Sequence, residues 1–208
     1  MRRAIIATTA SFGLTASIVV ANPAAASDPI DKVQFGMHVP NISLGVEPGV
    51  NYGAIRLWDS GVAWGQVQQG KNKYWWNGLD ASIANANSQG AEVLYVLGST
   101  PKWAASNKKQ GFYPNKGAAS VPKMSDWKKW VKAVVKRHGD SINAYQIWNE
   151  ANLKDFWAGT PQQMADLTKA ASKIIRKYDP GAKVVSASST VRLDKAYEKF
   201  FPSVFEST

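Results

Sequence analysis

Five short apolar runs, separated by helix-length segments, constrain this chain more than any other feature. The runs are residues 32–39, 54–58, 91–97, 142–148 and 182–187. Apart from Arg56 and a few polar side chains they are almost continuously apolar, the pattern of parallel strands covered on both faces. Helical patterns fall between them. Leu79, Ile83, Ala86 and Ala91 space a helix after the second run. Residues 125–138 form an amphipathic helix that Gly139 stops. Thr160, Pro161 and Gln163 supply an N-cap, a proline at N1 and a capping-box glutamine, and Met164, Leu167, Ala171, Ile174, Ile175 and Tyr178 then follow one face to Pro180-Gly181. A last helix is expected through Tyr197, Phe200, Phe201, Val204 and Phe205. Strand-helix alternation predicts an α/β fold with a parallel sheet. No repeat or linker divides residues 27–208, so they read as one domain.

The first residues read as an address. Met1-Arg2-Arg3 is basic, residues 4–21 are apolar or small, and Ala24-Ala25-Ala26 offers a peptidase site. The stretch is too diluted by Thr, Ser and Gly for a spanning helix, which wants roughly 20 strongly apolar residues. Residues 1–26 are therefore expected to be a secretory signal, leaving an exported protein with no membrane segment.

Charge and cysteine content exclude several classes. With no Cys among 208 residues there is no disulfide, thiolate nucleophile or zinc finger, and His38 and His138 make no metal-ligand spacing. No metal or cofactor is expected. The net charge is +10. Its densest cluster, Lys128, Lys129, Lys132, Lys136 and Arg137, shares a helix with Trp127, Trp130, Val131, Val134 and Val135. That spacing gives one apolar face and one solvated basic face, and no nucleic-acid-reading motif accompanies it. Nucleic acid is not an expected partner; the oligomeric state is open.

Chemistry concentrates at Trp148-Asn149-Glu150, where the fourth run ends. Parallel α/β folds bind ligands at that edge. Glycoside hydrolysis uses such a set: a carboxyl to protonate the glycosidic oxygen, an amide for a sugar hydroxyl, and indoles for sugar faces. Trp58, Trp64, Trp103, Trp148 and Trp157 lie at or just past strand ends and are candidates to line a sugar cleft, with His38 ending the first run. Asp59 reads as a structural loop residue, Trp127 and Trp130 as core, and one of Trp75 and Trp76 as packed.

These residues resemble the clan of retaining (β/α)8-barrel glycoside hydrolases whose fourth strand ends in Asn-Glu, closest to its β-xylosidase-like and cellulase- or xylanase-like branches. Ile55-Arg56-Leu57-Trp58 is similar to the clan's second-strand segment. Trp64, Tyr74-Trp75-Trp76 with Leu79-Asp80, and Thr100-Pro101-Lys102-Trp103 resemble further segments in the same order. The resemblance implies a TIM barrel and a secreted enzyme acting on β-linked poly- or oligosaccharide. It also implies a catalytic set in which Glu150 is the acid/base, Asn149 the 2-OH ligand and Arg56 the residue that steadies the nucleophile. A whole barrel takes about 250 residues and eight strands, so this chain is expected to hold only the first five βα units. The family's nucleophile, a second Glu ending the seventh strand, has no counterpart here. On that expectation Arg56 lacks its partner, and the chain alone is inert and marginally folded. The alternative is a non-catalytic carbohydrate- or cell-wall-binding protein.

Overall fold

The computed structural model describes residues 30–191, Phe200 and 202–204. The expected signal segment lies outside the described residues, as do Tyr197, Phe201 and Phe205 of the expected last helix; Phe200 and 202–204 are helical. In chain order the strands are β1 (Gly36–Met37), β2 (Ala54–Leu57), β3 (Gln68–Gly70), β4 (Lys73–Tyr74), β5 (Glu92–Leu97), β6 (Ala144–Ile147) and β7 (Lys183–Val185). The helices are α1 (Trp64–Val67), α2 (Asn77–Ser88), α3 (Met124–His138) and α4 (Pro161–Tyr178). The main sheet is parallel throughout and runs β1-β2-β5-β6-β7, with β3 and β4 a separate antiparallel pair.

That order settles the architecture. Each strand lies beside its predecessor and never reverses, unlike a doubly wound sheet with a switch point. Right-handed crossovers that always step the same way put α2, α3 and α4 on one side. This is the winding of a (β/α)8 barrel, with five of its eight strands among the described residues: an incomplete barrel.

Burial alternates accordingly. Ile55, Leu57, Val93, Tyr95, Tyr145 and Ile147 face the helices and are wholly buried. Their alternates Ala54, Arg56, Glu92 and Leu94 face the barrel interior and are half exposed. The helices earn their positions from the same pattern. Trp127, Trp130, Val131, Val134 and Val135 bury one face of α3. At the start of α4 the Gln163 amide N–H donates to Thr160 Oγ1 (3.2 Å) and the Thr160 N–H to Gln163 Oε1 (2.8 Å), the reciprocal cap its sequence predicts.

The first run departs from expectation. Only Gly36–Met37 pairs as strand, and Lys32–Gln34 forms a 3-10 turn. The cause is local: the Asp31 side chain accepts the Val33 N–H, capping a turn where apolar content alone suggested a strand. Gly53 lets that turn close, because a Cβ there would run into the Lys32 carbonyl.

One cluster around the buried His138 ties stability to pH. The Arg137 guanidinium donates two hydrogen bonds to Asp80 and lies over the Trp76 ring, while His138 is buried with its Nε2 3.4 Å from Asp80. Burial pushes the His138 pKa from 6.5 down to about 4; the Asp80 charge opposes this and Arg137 reinforces it. The folded state therefore prefers neutral His138. Stability is complete above the unfolded value and declines as pH falls from about 6.5 towards 4, by an amount on the order of 2 kcal/mol. Asp80, held below its usual range chiefly by the Arg137 hydrogen bonds, adds a loss in the same direction at still lower pH. Melts at pH 7.5, 6 and 4.5 check this. His138→Asn should flatten the dependence between pH 6.5 and 4.5, and an unchanged slope would refute the assignment.

Candidate active site

Arg56 is the first residue to place. It faces inward from β2, where the sequence leaves it without a partner. Instead its Nε donates to Gln146 Oε1 (2.9 Å) and its Nη2 to Asn149 Oδ1 (2.7 Å). Neutral amide oxygens thus take up two of its five N–H groups. The reason is barrel geometry: inward side chains of alternate strands meet in one layer, so a residue of β2 reaches past β5 to β6. Burial lowers the Arg56 pKa, and the charges of Asp59 and Glu150 offset part of that. No carboxylate of the described residues lies within ion-pair distance, so the guanidinium carries its charge into the interior on neutral amide oxygens.

Asn149 is consequently held in one orientation. Its Oδ1 accepts from Arg56 and, at 3.3 Å, from Ser188 Oγ. Its Nδ2 makes no hydrogen bond among the described residues and is left to donate. Asn149 itself is 6% exposed, whereas Glu150 is half-buried.

The tip carrying them is strained. Trp148 has φ 74° and Glu150 φ 41°, both left-handed and neither a glycine. Such residues persist only where their surroundings over-determine them, and they concentrate at functional sites. Here the segment after β7 does the fixing. The Glu150 N–H donates to Ser188 Oγ (2.9 Å) and the Ala151 N–H to the Ser188 carbonyl (3.0 Å). The Asn152 Nδ2 donates to the Thr190 carbonyl, and the Thr190 N–H to Asn152 Oδ1. On the other side the Trp148 N–H donates to the Leu97 carbonyl (2.8 Å) and its indole N–H to the Phe156 carbonyl (2.8 Å).

Ser188 is thus a positioning residue that sequence reasoning missed, since a serine past a strand carries no signal of its own. Ser188→Ala removes the acceptor for the Glu150 N–H and a donor to Asn149. An unpaired buried group costs about 1–3 kcal/mol, so denaturant midpoints should fall accordingly. Ser188→Thr, which keeps the hydroxyl, should recover most of the loss. Equal loss in both variants would show that the hydroxyl does not matter. Gln146, also missed, had a visible signal: it is a polar residue in an apolar strand, two residues before Trp148 and so near the inward register.

The remaining candidates divide by exposure. His38 is exposed, and its Nε2 accepts the Asp59 N–H (3.1 Å). Asp59 Oδ1 in turn accepts from the Tyr113 hydroxyl (2.9 Å), which ties the loop after β5 to the tip of β2. Trp58 is 7% exposed and meets Phe156 edge-on. Trp103 is half-buried, its indole N–H on the Gln68 carbonyl (3.1 Å). Trp64, Trp148 and Trp157 are fully buried. Trp148 packs 4.9 Å edge-on against Trp157, and Trp64 stacks on Trp130. Rings so enclosed offer no face to a sugar in this structure. Of Trp75 and Trp76, the second packs between Tyr74 and Trp130 and the first is exposed.

In the loops leaving these strand tips Asp59 is held by Tyr113 and Asp155 is exposed; Asp126 is buried in the first turn of α3. No group of three His, Asp or Glu among the described residues stands where it could hold a metal ion.

Comparison with known proteins identifies the frame. Residues 55–200 match Glycosyl hydrolases family 39. A curated beta-xylosidase of Caldicellulosiruptor saccharolyticus is 30% identical over 122 residues, covering 54% of this chain and 25% of that protein. Among solved structures, a family 39 enzyme of Xanthomonas axonopodis pv. citri superposes with TM-score 0.57 at 24% identity, over 72% of this chain and 33% of the other. A family 39 beta-xylosidase of Caulobacter crescentus gives TM-score 0.55 at 24% identity, over 72% and 38%. The chain thus spans a quarter to two-fifths of these relatives.

Proposed function

This chain belongs to family 39 of the glycosyl hydrolases, and on that premise we propose that it carries the proton-donating half of a retaining β-glycosidase site. Glu150 is the acid/base, Asn149 the ligand of the sugar 2-hydroxyl, and Arg56 the cation that orders the interior around them. The observation that supports this best is the fixing of Asn149. Arg56 and Ser188 occupy its oxygen and leave its Nδ2 to donate, next to a half-exposed carboxyl on a strained tip.

The chemistry follows from those positions. Glu150 protonates the leaving oxygen as the anomeric carbon–oxygen bond breaks, and its carboxylate then takes a proton from the water that releases the sugar. The retaining route also needs a nucleophilic carboxylate about 5–5.5 Å from the acid. That group comes from outside the described residues. The substrate is a β-linked oligo- or polysaccharide, and the beta-xylosidase similarity favours a β-xyloside. Residues 1–26 direct the protein to export.

The test is hydrolysis of aryl β-xylosides by the 208-residue chain, with a cooperative melt recorded in parallel. No turnover is expected without an added nucleophile. Turnover that Glu150→Ala abolishes would show that a second carboxylate stands among these residues after all.

A further inference from the structure

The outer surface of the helix layer carries a feature that hydrolysis does not use. Lys128, Lys132 and Lys136 recur at i, i+4 and i+8 on α3, and Lys169, Lys173 and Lys177 do the same on α4. That spacing sets each trio on one face of its helix, one cation per ~6 Å of axis. The helices pack side by side; the Trp127 indole N–H of α3 donates to the Leu167 carbonyl of α4. The two rows converge on one groove. At one end Lys128, Lys169 and Lys173 rim a cavity of about 400 Å³. At the other, Lys132, Lys136 and Lys177 place their Nζ atoms 5.4, 5.6 and 5.5 Å from the centre of the Tyr178 ring. All six lysines are exposed.

Like charges set this close repel one another. Among the described residues that line the cavity one is an acid, Asp166, which accepts a hydrogen bond from Gln162 on one of its two oxygens. The local potential is strong enough to pull the Tyr178 phenol below its usual range, first through a hydrogen bond from Lys132 and then through the three lysine charges. Met124, Ala170 and Ile174 form an apolar floor beneath the lysine rim. An apolar floor under a cationic rim suits a pyranose ring that bears a carboxylate, with its C–H face down and its charge at the edge.

We propose that the α3–α4 groove binds a uronic-acid-bearing polysaccharide, with one uronate seated in the cavity between Lys128, Lys169 and Lys173 and the polymer continuing past Lys132, Lys136 and Lys177. Charge complementarity and the cavity select this occupant. Nucleic acid fits less well. Single strands need open aromatic platforms for base stacking, and here the Tyr178 ring is overlaid by lysines. The surface would hold the protein on an acidic polymer independently of what Glu150 does.

The probe is polygalacturonate, with neutral dextran and a single-stranded oligonucleotide alongside, titrated against the 208-residue chain at 50 and 500 mM salt. Polygalacturonate should bind at low salt, weaken at high salt, and bind more tightly than the oligonucleotide at equal charge; dextran should not bind. Lys128→Glu with Lys173→Glu should lower affinity at least tenfold. Lys108→Glu with Lys109→Glu, an equal charge change on the exposed loop after β5, should leave it within twofold. Should the reversal variant fail to melt cooperatively, Lys128→Gln with Lys173→Gln reads the same loss in smaller measure. Equal losses in groove and loop variants would reduce the effect to net charge and overturn the proposal. So would absent binding at 50 mM salt, or tighter binding of the oligonucleotide.

Discussion

Azide added to this chain should bring about cleavage of aryl β-xylosides, and the product should be the α-glycosyl azide. A small anion can occupy the place of a missing nucleophile. It attacks the anomeric carbon from the face opposite the aryl oxygen, the carbon–oxygen bond pair leaves with that oxygen, and Glu150 supplies its proton. One displacement inverts the centre, so an α product marks a site with an acid and no nucleophile of its own. A β product marks two displacements and a second carboxylate on the protein. The contribution of Glu150 is then read from the leaving group. A dinitrophenoxide departs without a proton, so Glu150→Gln should change its rate little. With a poor leaving group, general acid catalysis is worth about 10²–10⁴-fold, and Glu150→Gln should remove that factor. A cooperatively melting chain that azide fails to rescue on either substrate would refute the assignment of a working acid half. A loss independent of leaving group would place Glu150 in binding rather than proton transfer.

Sequence and structure agree where local chemistry decides the outcome. The apolar runs at 54–58, 91–97 and 142–148 contain β2, β5 and β6, and the cap at Thr160 forms as its residues dictate. In the first run a three-residue turn overrode an apolar composition, because one side chain, Asp31, offered a backbone N–H a nearer partner. The β3–β4 pair had no apolar alternation to announce it. At the strand tips the sequence pointed to Asn149 and Glu150 but not to what holds them. Ser188 lies thirty-eight residues beyond Glu150 and reaches it only because β7 pairs with β6. Arg56 showed the same limit. Its charge was legible as a problem, and its solution in Gln146 depends on alternate strands converging inside a curved sheet.

The tryptophans test that limit most sharply, and Trp64→Ala is the decisive substitution. From its place just after a strand, Trp64 reads as a cleft residue, whose loss would weaken sugar binding and leave folding intact. In the structure it opens α1 and is wholly buried. It lies parallel to Trp130 at 5.8 Å, edge-on to Trp103 at 6.1 Å and tilted to Trp127 at 5.7 Å, and its indole N–H donates to the buried Gln68 Oε1 (2.8 Å). Truncating a buried Trp costs about 3–5 kcal/mol in lost burial and residual cavity, and stranding the Gln68 oxygen adds about 1–3 kcal/mol. Domains of this size hold only about 5–15 kcal/mol in total. Half of the stability or more should therefore go, and the urea midpoint should drop steeply or the transition vanish. Trp64→Phe keeps a ring on Trp130 but drops the donor, and should fall between. Trp103→Ala, at a half-buried site, should cost clearly less than Trp64→Ala. If Trp64→Ala unfolds at the same urea concentration as the parent chain, the aromatic stack is not what holds α1 and α3 against the sheet.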